Sequence, residues 1–202
     1  MKKIKFIYFD IGGVMADTTN YFKGATNKFG IPLDEFTKFW QENYRDEMTR
    51  GKITPQEFWK KIIKKFNLKN AMDFNFVESW MNDYQPRIKV HKLAKKLSKS
   101  YKIGLISNLY PGMMPALIKK GLVANIKYSA MVLSYEVQLR KPEKEIYEIA
   151  TKKAGVLPEE ILLIDDQIDF IEGAKSYGWQ TVWFDMNNIE RLIRKIEKLL
   201  GV

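Results

Sequence analysis

Four short segments carry side chains with chemistry to offer: Asp10, Ser107-Asn108, Lys141 and Asp165-Asp166. Each stands at the end of a short apolar run or just before a helix. Carboxylates that meet at one point can hold Mg²⁺, which takes carboxylate, water and substrate oxygens. A lysine at the same point neutralises a phosphate, and a serine hydroxyl with nearby backbone N–H groups hydrogen-bonds its oxygens. With the charge neutralised, a carboxylate can attack phosphorus and form an acyl phosphate. Singly these segments say little. An Asp after an apolar run is often a cap, a Ser at a strand end is common punctuation, Lys-Pro opens helices and Asp-Asp makes solvated turns. Their joint order and strand context carry the information.

Composition removes the competing chemistries. The chain has no cysteine, which excludes a thiol nucleophile, a disulfide framework and cysteine-based zinc sites. Its one histidine, His91, cannot supply a multi-histidine metal cage and reads as a surface helical residue. Ser107 lacks the Gly-x-Ser-x-Gly turn of a nucleophilic serine. Gly12-Gly13 is not continued into a dinucleotide fingerprint, and no Walker A motif is present. Lysines and arginines number 34 against 24 acidic residues, a net charge of +10 that favours anionic partners. The lysines are dispersed as solvated helix faces rather than gathered in a stripe, so a small phosphorylated substrate is expected and nucleic acid is not. No apolar run approaches the roughly 18 residues of a membrane span. The start, Met1-Lys2-Lys3-Ile4-Lys5, has the charge of a signal sequence, but Asp10 interrupts the apolar stretch that would have to follow. A cytoplasmic protein without membrane contact is expected.

The elements that must position these groups follow from periodicity. Ile4 to Phe9 is a buried strand that stops at Asp10 and Gly12-Gly13. From Thr18 to Pro86 the pattern is helical, with Phe36, Phe39, Trp40, Phe58, Trp59, Ile62, Ile63 and Phe66 at core spacing. Thr54-Pro55-Gln56-Glu57 is a helix start with a capping box. From Ile88 strands and helices alternate: strands at 102–107, 130–133, 161–164 and 181–184, helices at 115–120, 142–154 and 170–177. A last amphipathic helix turns Ile189, Leu192, Ile193, Ile196, Leu199 and Leu200 inward. Such alternation implies a parallel sheet in an α/β fold. Residues at its strand ends share one rim, where open α/β sheets bind ligands. At 202 residues the chain has room for one or two domains. We expect a core of residues 1–17 and 87–202, with residues 18–86 inserted after the first strand.

The sequence resembles the haloacid dehalogenase-like hydrolases with a helical cap, in their phosphatase-like branch. The resemblance rests on Phe9-Asp10-Ile11-Gly12-Gly13-Val14, Leu105-Ile106-Ser107-Asn108, Arg140-Lys141-Pro142-Glu143, Leu163-Ile164-Asp165-Asp166 with Glu172-Gly173-Ala174, and the cap segment from Gly51 to Trp59. It spans nearly the whole chain. It implies a Rossmann-like parallel sheet with a cap inserted after the first strand, and a Mg²⁺-dependent phosphatase working through an aspartyl-phosphate. Asp10 is then nucleophile and metal ligand, Lys141 pairs with it and with the phosphate, and Ser107 and Asn108 bind the phosphoryl group. The Gly12 carbonyl, Asp165 and Asp166 complete the Mg²⁺ site. The dehalogenase branch fits less well, because it usually lacks the acidic pair kept here as Asp165-Asp166.

Two positions depart from the pattern. The family's phosphatases usually carry a second Asp two residues after the nucleophile, which serves as general acid and base; here that position is Gly12. The alternative this raises is a catalytically weak or inactive protein that binds phosphate or a partner on the same fold. Phe170 stands where related sequences often have Asn or Gly, which implies one polar group fewer beside Lys141. In the cap, Tyr21, Tyr44, Arg45 and Arg50 are candidates to face substrate, as are Tyr110 and Met113 beyond Ser107. The sequence names neither the substrate nor the oligomeric state.

Overall fold

The computed structural model describes residues 3–201, so Met1 and Lys2 of the lysine-rich start lie outside the described residues. Strand β1 (Phe6–Phe9) leads to a tight loop and a two-residue strand β2 (Ala16–Asp17). Five helices follow: α1 (Lys23–Phe29), α2 (Leu33–Asn43), α3 (Arg45–Thr49), α4 (Pro55–Lys65) and α5 (Phe76–Asn82). Strand β3 (Gln85–Pro86) then closes an antiparallel neck with β2. The remainder runs α6 (Ile88–Leu97), β4 (Lys102–Ser107), α7 (Met113–Lys119), β5 (Ala130–Leu133), α8 (Ser134–Val137), α9 (Lys144–Ala154), β6 (Ile161–Asp165), α10 (Ile168–Ser176), β7 (Gln180–Trp183) and α11 (Ile189–Leu200).

The main sheet has the order β5-β4-β1-β6-β7, and all its pairs are parallel. Strand β1 is central, which is why all four of its residues are buried and its sequence runs apolar without alternation. The fold is the parallel α/β sheet that the strand–helix alternation requires. One face of the sheet carries Phe6, Tyr8, Ile106 and Leu163 against α9, α10 and Trp179 in the turn before β7. The other carries Ile7, Phe9, Leu105 and Ile164, and its core continues into the helical insert through Phe22, Phe36, Trp59 and Phe76. The insert is an aromatic cluster, with Phe22 contacting Phe36, Trp40, Phe76 and Trp80. Its helix α4 starts as its sequence dictates: Glu57 N–H donates to Thr54 Oγ1, and the Glu57 carboxylate accepts from Thr54 N–H.

Some boundaries differ from the expected ones for local reasons. Helix α7 begins two residues before Pro115, because the first turn of a helix has no use for the N–H that proline lacks. Helix α9 begins at Lys144 rather than Pro142, since Arg140 and Glu143 first close a turn of their own. Leu199 is exposed rather than inward; Leu200 packs on the core, and its carbonyl accepts from Tyr101. His91 is half-buried rather than on the surface, and its Nε2 lies 3.0 Å from the Met15 carbonyl at the neck. Burial holds its pKa below the ordinary value.

Candidate active site

Parallel strands end together, and β1, β4 and β6 deliver their next polar residues to the same rim. Asp10 follows β1 directly, with its N–H on the Ile164 carbonyl at 3.0 Å. Ser107 ends β4, and Asp165 ends β6. Lys141 arrives on the loop between α8 and α9, joined to Pro142 by a cis peptide bond. Its ammonium has no solvent exposure and sits 3.2 Å from Asp10 Oδ1 and 2.5 Å from Asp165 Oδ2. A cation so placed is stable only when paired. The neighbouring acids outweigh its burial and hold its pKa above the ordinary lysine value.

Asp10, Asp165 and Asp166 each offer an oxygen, all within 4.8 Å of one another. Burial pushes the Asp165 carboxyl up to about 7 against the opposing pull of Lys141, and burial also raises Asp166, with Asp10 adding to it. One ammonium faces three carboxyl groups in this largely buried site, an excess of acidic groups over cations. A hard divalent cation with oxygen preference would balance that excess, and the donor set fits Mg²⁺.

The two neighbouring acids differ in outlook. Asp165 is fully buried; its Oδ2 meets Lys141 and its Oδ1 accepts from Gln167 N–H at 2.9 Å. Asp166 lines the cavity with Asp10, and its Oδ2 accepts from the Gln167 amide. Gly13 makes room for it. A Cβ there would lie 2.2 Å from Asp166 Oδ2, and the Gly13 φ of +77° favours glycine. Gly12 is different: a Cβ would meet only Thr18 Cγ2 at 3.7 Å, an ordinary contact.

Asn108 lines the cavity, but its amide is committed to the main chain of Lys141. Its Oδ1 accepts from Lys141 N–H at 2.8 Å, and its Nδ2 donates to the Lys141 carbonyl at 3.0 Å. Such a two-point clamp fixes where the lysine stem starts. Phe170 supplies what a polar neighbour would have given: the Lys141 ammonium lies 4.8 Å from its ring centroid, within cation–π range.

The cavity above this rim has a volume of about 310 Å³. The sheet edge contributes Asp10, Gly12, Ser107, Asn108, Tyr110, Met113, Asp166 and Phe170 to its wall, and the insert contributes Tyr21, Trp40, Gln41, Arg45, Thr49, Trp80 and Tyr84. Of the expected cap residues, Tyr21 and Arg45 therefore line it. Tyr44 instead packs on Phe39 and Phe58, and Arg50 forms a clasp between insert and core. Arg50 reaches Glu143 and Asp46, while Asp46 also accepts from Arg140 at 3.1 Å. Beside this clasp, the buried Ser134 hydroxyl donates to the Thr49 carbonyl of the insert at 2.7 Å and accepts from Leu109 N–H. Trp40 reads from the sequence only as core, and Trp80 and Tyr84 carry no signal of their own there, because one aromatic face both packs the insert and lines the cavity.

The chain belongs to the haloacid dehalogenase-like hydrolases: the model of that family matches residues 7–184. It is similar to the D-ribitol-5-phosphate phosphatase of Bacteroides thetaiotaomicron, 29% identical over 88% of this chain and 90% of that one. It is also similar to the glyceraldehyde 3-phosphate phosphatase of Pyrococcus furiosus, 24% identical over 91% of this chain and 82% of that one. Among solved structures it resembles a family enzyme from Bacteroides thetaiotaomicron in complex with magnesium and inorganic phosphate, with a TM-score of 0.75, 25% identity and coverage of 91% of this chain and 95% of that chain. No helix among the described residues is long and apolar enough to cross a membrane.

Proposed function

We propose that the chain is a magnesium-dependent phosphatase of a small phosphorylated metabolite, a sugar or polyol phosphate in size, with Asp10 as nucleophile. The observation that carries this reading is the placement of Asp10 between Lys141 and Asp166 on the floor of a cavity of about 310 Å³. The names of the similar phosphatases and the magnesium and phosphate of the similar structure support it.

Asp10, Asp166, the Gly12 carbonyl and Asp165 would hold Mg²⁺, which when bound neutralises phosphate charge. Asp10 forms the new bond to phosphorus as the ester P–O bond breaks, leaving an aspartyl-phosphate. Lys141 pairs with the Asp10 carboxylate and orients it, and Asn108 holds Lys141. The Ser107 hydroxyl binds a non-bridging phosphoryl oxygen. Water then attacks phosphorus, releasing inorganic phosphate and restoring Asp10. Gly12 offers no titratable group, so the leaving oxygen takes its proton from water, and turnover falls as the leaving alcohol becomes less acidic. Gly12 is also what favours the second reading, a phosphate- or partner-binding protein on this scaffold.

The test is phosphate release from p-nitrophenyl phosphate with Mg²⁺ and with EDTA, for the wild-type chain and Asp10→Asn. Its leaving group hardly needs an acid. Metal-dependent release lost in the variant is expected. Silence from folded wild-type protein would move the assignment to the binding reading.

A further inference from the structure

The insert brings one cation to the cavity that the proposed hydrolysis does not use. Arg45, the first residue of α3, is exposed and lines the cavity wall with Gln41, one helical turn earlier in the chain. The other guanidinium in that wall, Arg140, is paired with Asp46 at 3.1 Å. Arg45 has no carboxylate partner among the described residues. Its Cζ stacks over the Trp40 ring at 5.5 Å, which holds the planar group in place without consuming its donors. Trp40 adds a second sign of an absent partner. It is 7% exposed, and its Nε1 is a buried donor with no acceptor among the described residues. A buried N–H left so is unfavourable unless an acceptor reaches it.

Arg45 and Trp40 offer only donors, and Gln41 offers donors beside its carbonyl. The sheet edge takes the phosphoryl group, so this wall faces the remainder of the substrate. We propose that Arg45, supported by Gln41 and Trp40, recognises a second anionic group on the substrate, remote from the phosphate that is hydrolysed. The substrate class is then a phosphate monoester bearing a carboxylate or a second phosphate, rather than a neutral polyol phosphate. This rests on the phosphatase reading of the site and makes Arg45 a specificity-determining residue.

The test compares kcat/KM within matched pairs, using the full chain with Mg²⁺: 3-phosphoglycerate against glycerol 3-phosphate, and fructose 1,6-bisphosphate against fructose 6-phosphate. The first pair reports a carboxylate, the second a second phosphate. A preference of at least about tenfold for the anionic member of one pair is expected, the worth of one charged hydrogen bond. Arg45→Gln should reduce that ratio about tenfold, and Arg45→Lys should retain part of it. Equal or reversed preference in both pairs, or a ratio unmoved by Arg45→Gln, overturns the proposal. Should neither these esters nor p-nitrophenyl phosphate be hydrolysed, the phosphatase reading fails on its own account. Calorimetric titration of the same pairs into wild type and Arg45→Gln then decides the role of Arg45: a Kd preference for the anionic member that the variant loses supports it, and none overturns it.

Discussion

Asp10 Oδ1 lies 3.2 Å from the ammonium of Lys141, and neither group has appreciable contact with solvent. The proposed function makes this pair the determinant of reactivity, and its burial makes it a determinant of stability. Lys141 is the one cation that the described residues place among Asp10, Asp165 and Asp166. Lys141→Met keeps the volume of the stem and removes the charge. It should lower kcat/KM by about 10²–10³, as loss of a positioned electrostatic group does. It should also cost about 3–5 kcal/mol, as when one partner of a buried ion pair is removed. Urea unfolding with and without Mg²⁺ measures the second effect, and the cation should recover part of it. Wild-type turnover in this variant would show that the lysine is only structural.

Gly12 lines the cavity with space for a side chain. With an unstrained backbone and its nearest Cβ contact at 3.7 Å, Gly12→Asp should fold. A carboxyl there can protonate a leaving alkoxide, which is typically worth about 10²–10⁴-fold. We expect Gly12→Asp to raise kcat on alkyl phosphates by about tenfold or more and to change p-nitrophenyl phosphate hydrolysis far less. Equal effects on both leaving groups would count against a missing acid as the limit on this chain.

Gly13→Ala tests the opposite case one residue later. Its Cβ would strike the Asp166 carboxylate at 2.2 Å from a backbone conformation that disfavours alanine. The acid must swing away, so the Mg²⁺ concentration for half-maximal activity should rise by about tenfold or more. An unchanged magnesium dependence would mean that Asp166 is not needed for the metal.

The clasp between insert and core should be pH-dependent. The hydrogen bond from Arg50 holds the Glu143 carboxyl below its ordinary value of 4.5. Its stabilisation is therefore complete above pH 4.5 and is lost as pH falls through the lowered folded value. Both side chains are partly exposed, so Glu143→Gln should cost about 0.5–1 kcal/mol at pH 7. The difference from wild type should shrink below pH 4, as followed by thermal unfolding across pH. A pH-independent difference would show that packing, not charge, makes the contact.

The sheet and most of the site were legible because both follow from local rules. Buried parallel strands read as apolar runs, and the first polar residue after each run must emerge at one rim, so Asp10, Ser107 and Asp165-Asp166 announce themselves. What the sequence hid depends on contacts between distant segments. Asn108 stands beside Ser107 in the sequence, which does not show the two hydrogen bonds its amide makes to the Lys141 main chain. Phe170 reads as the loss of a polar support, yet its ring lies under the lysine. His91 reads as a surface residue because only the neck brings Met15 to it. Arg45 and Arg50 read alike, and only the packing of α3 sends one to the cavity and the other to Glu143.

The most direct test of the central claim is chemical trapping of the nucleophile. Wild-type protein mixed with a phosphate ester and Mg²⁺, then quenched in acid within milliseconds, should carry one phosphoryl group. Hydroxylamine should remove it, and peptide mapping by mass spectrometry should place it on Asp10, with none in Asp10→Asn. Phosphate released at full rate with no phosphorylated Asp10 peptide at any quench time would contradict the account.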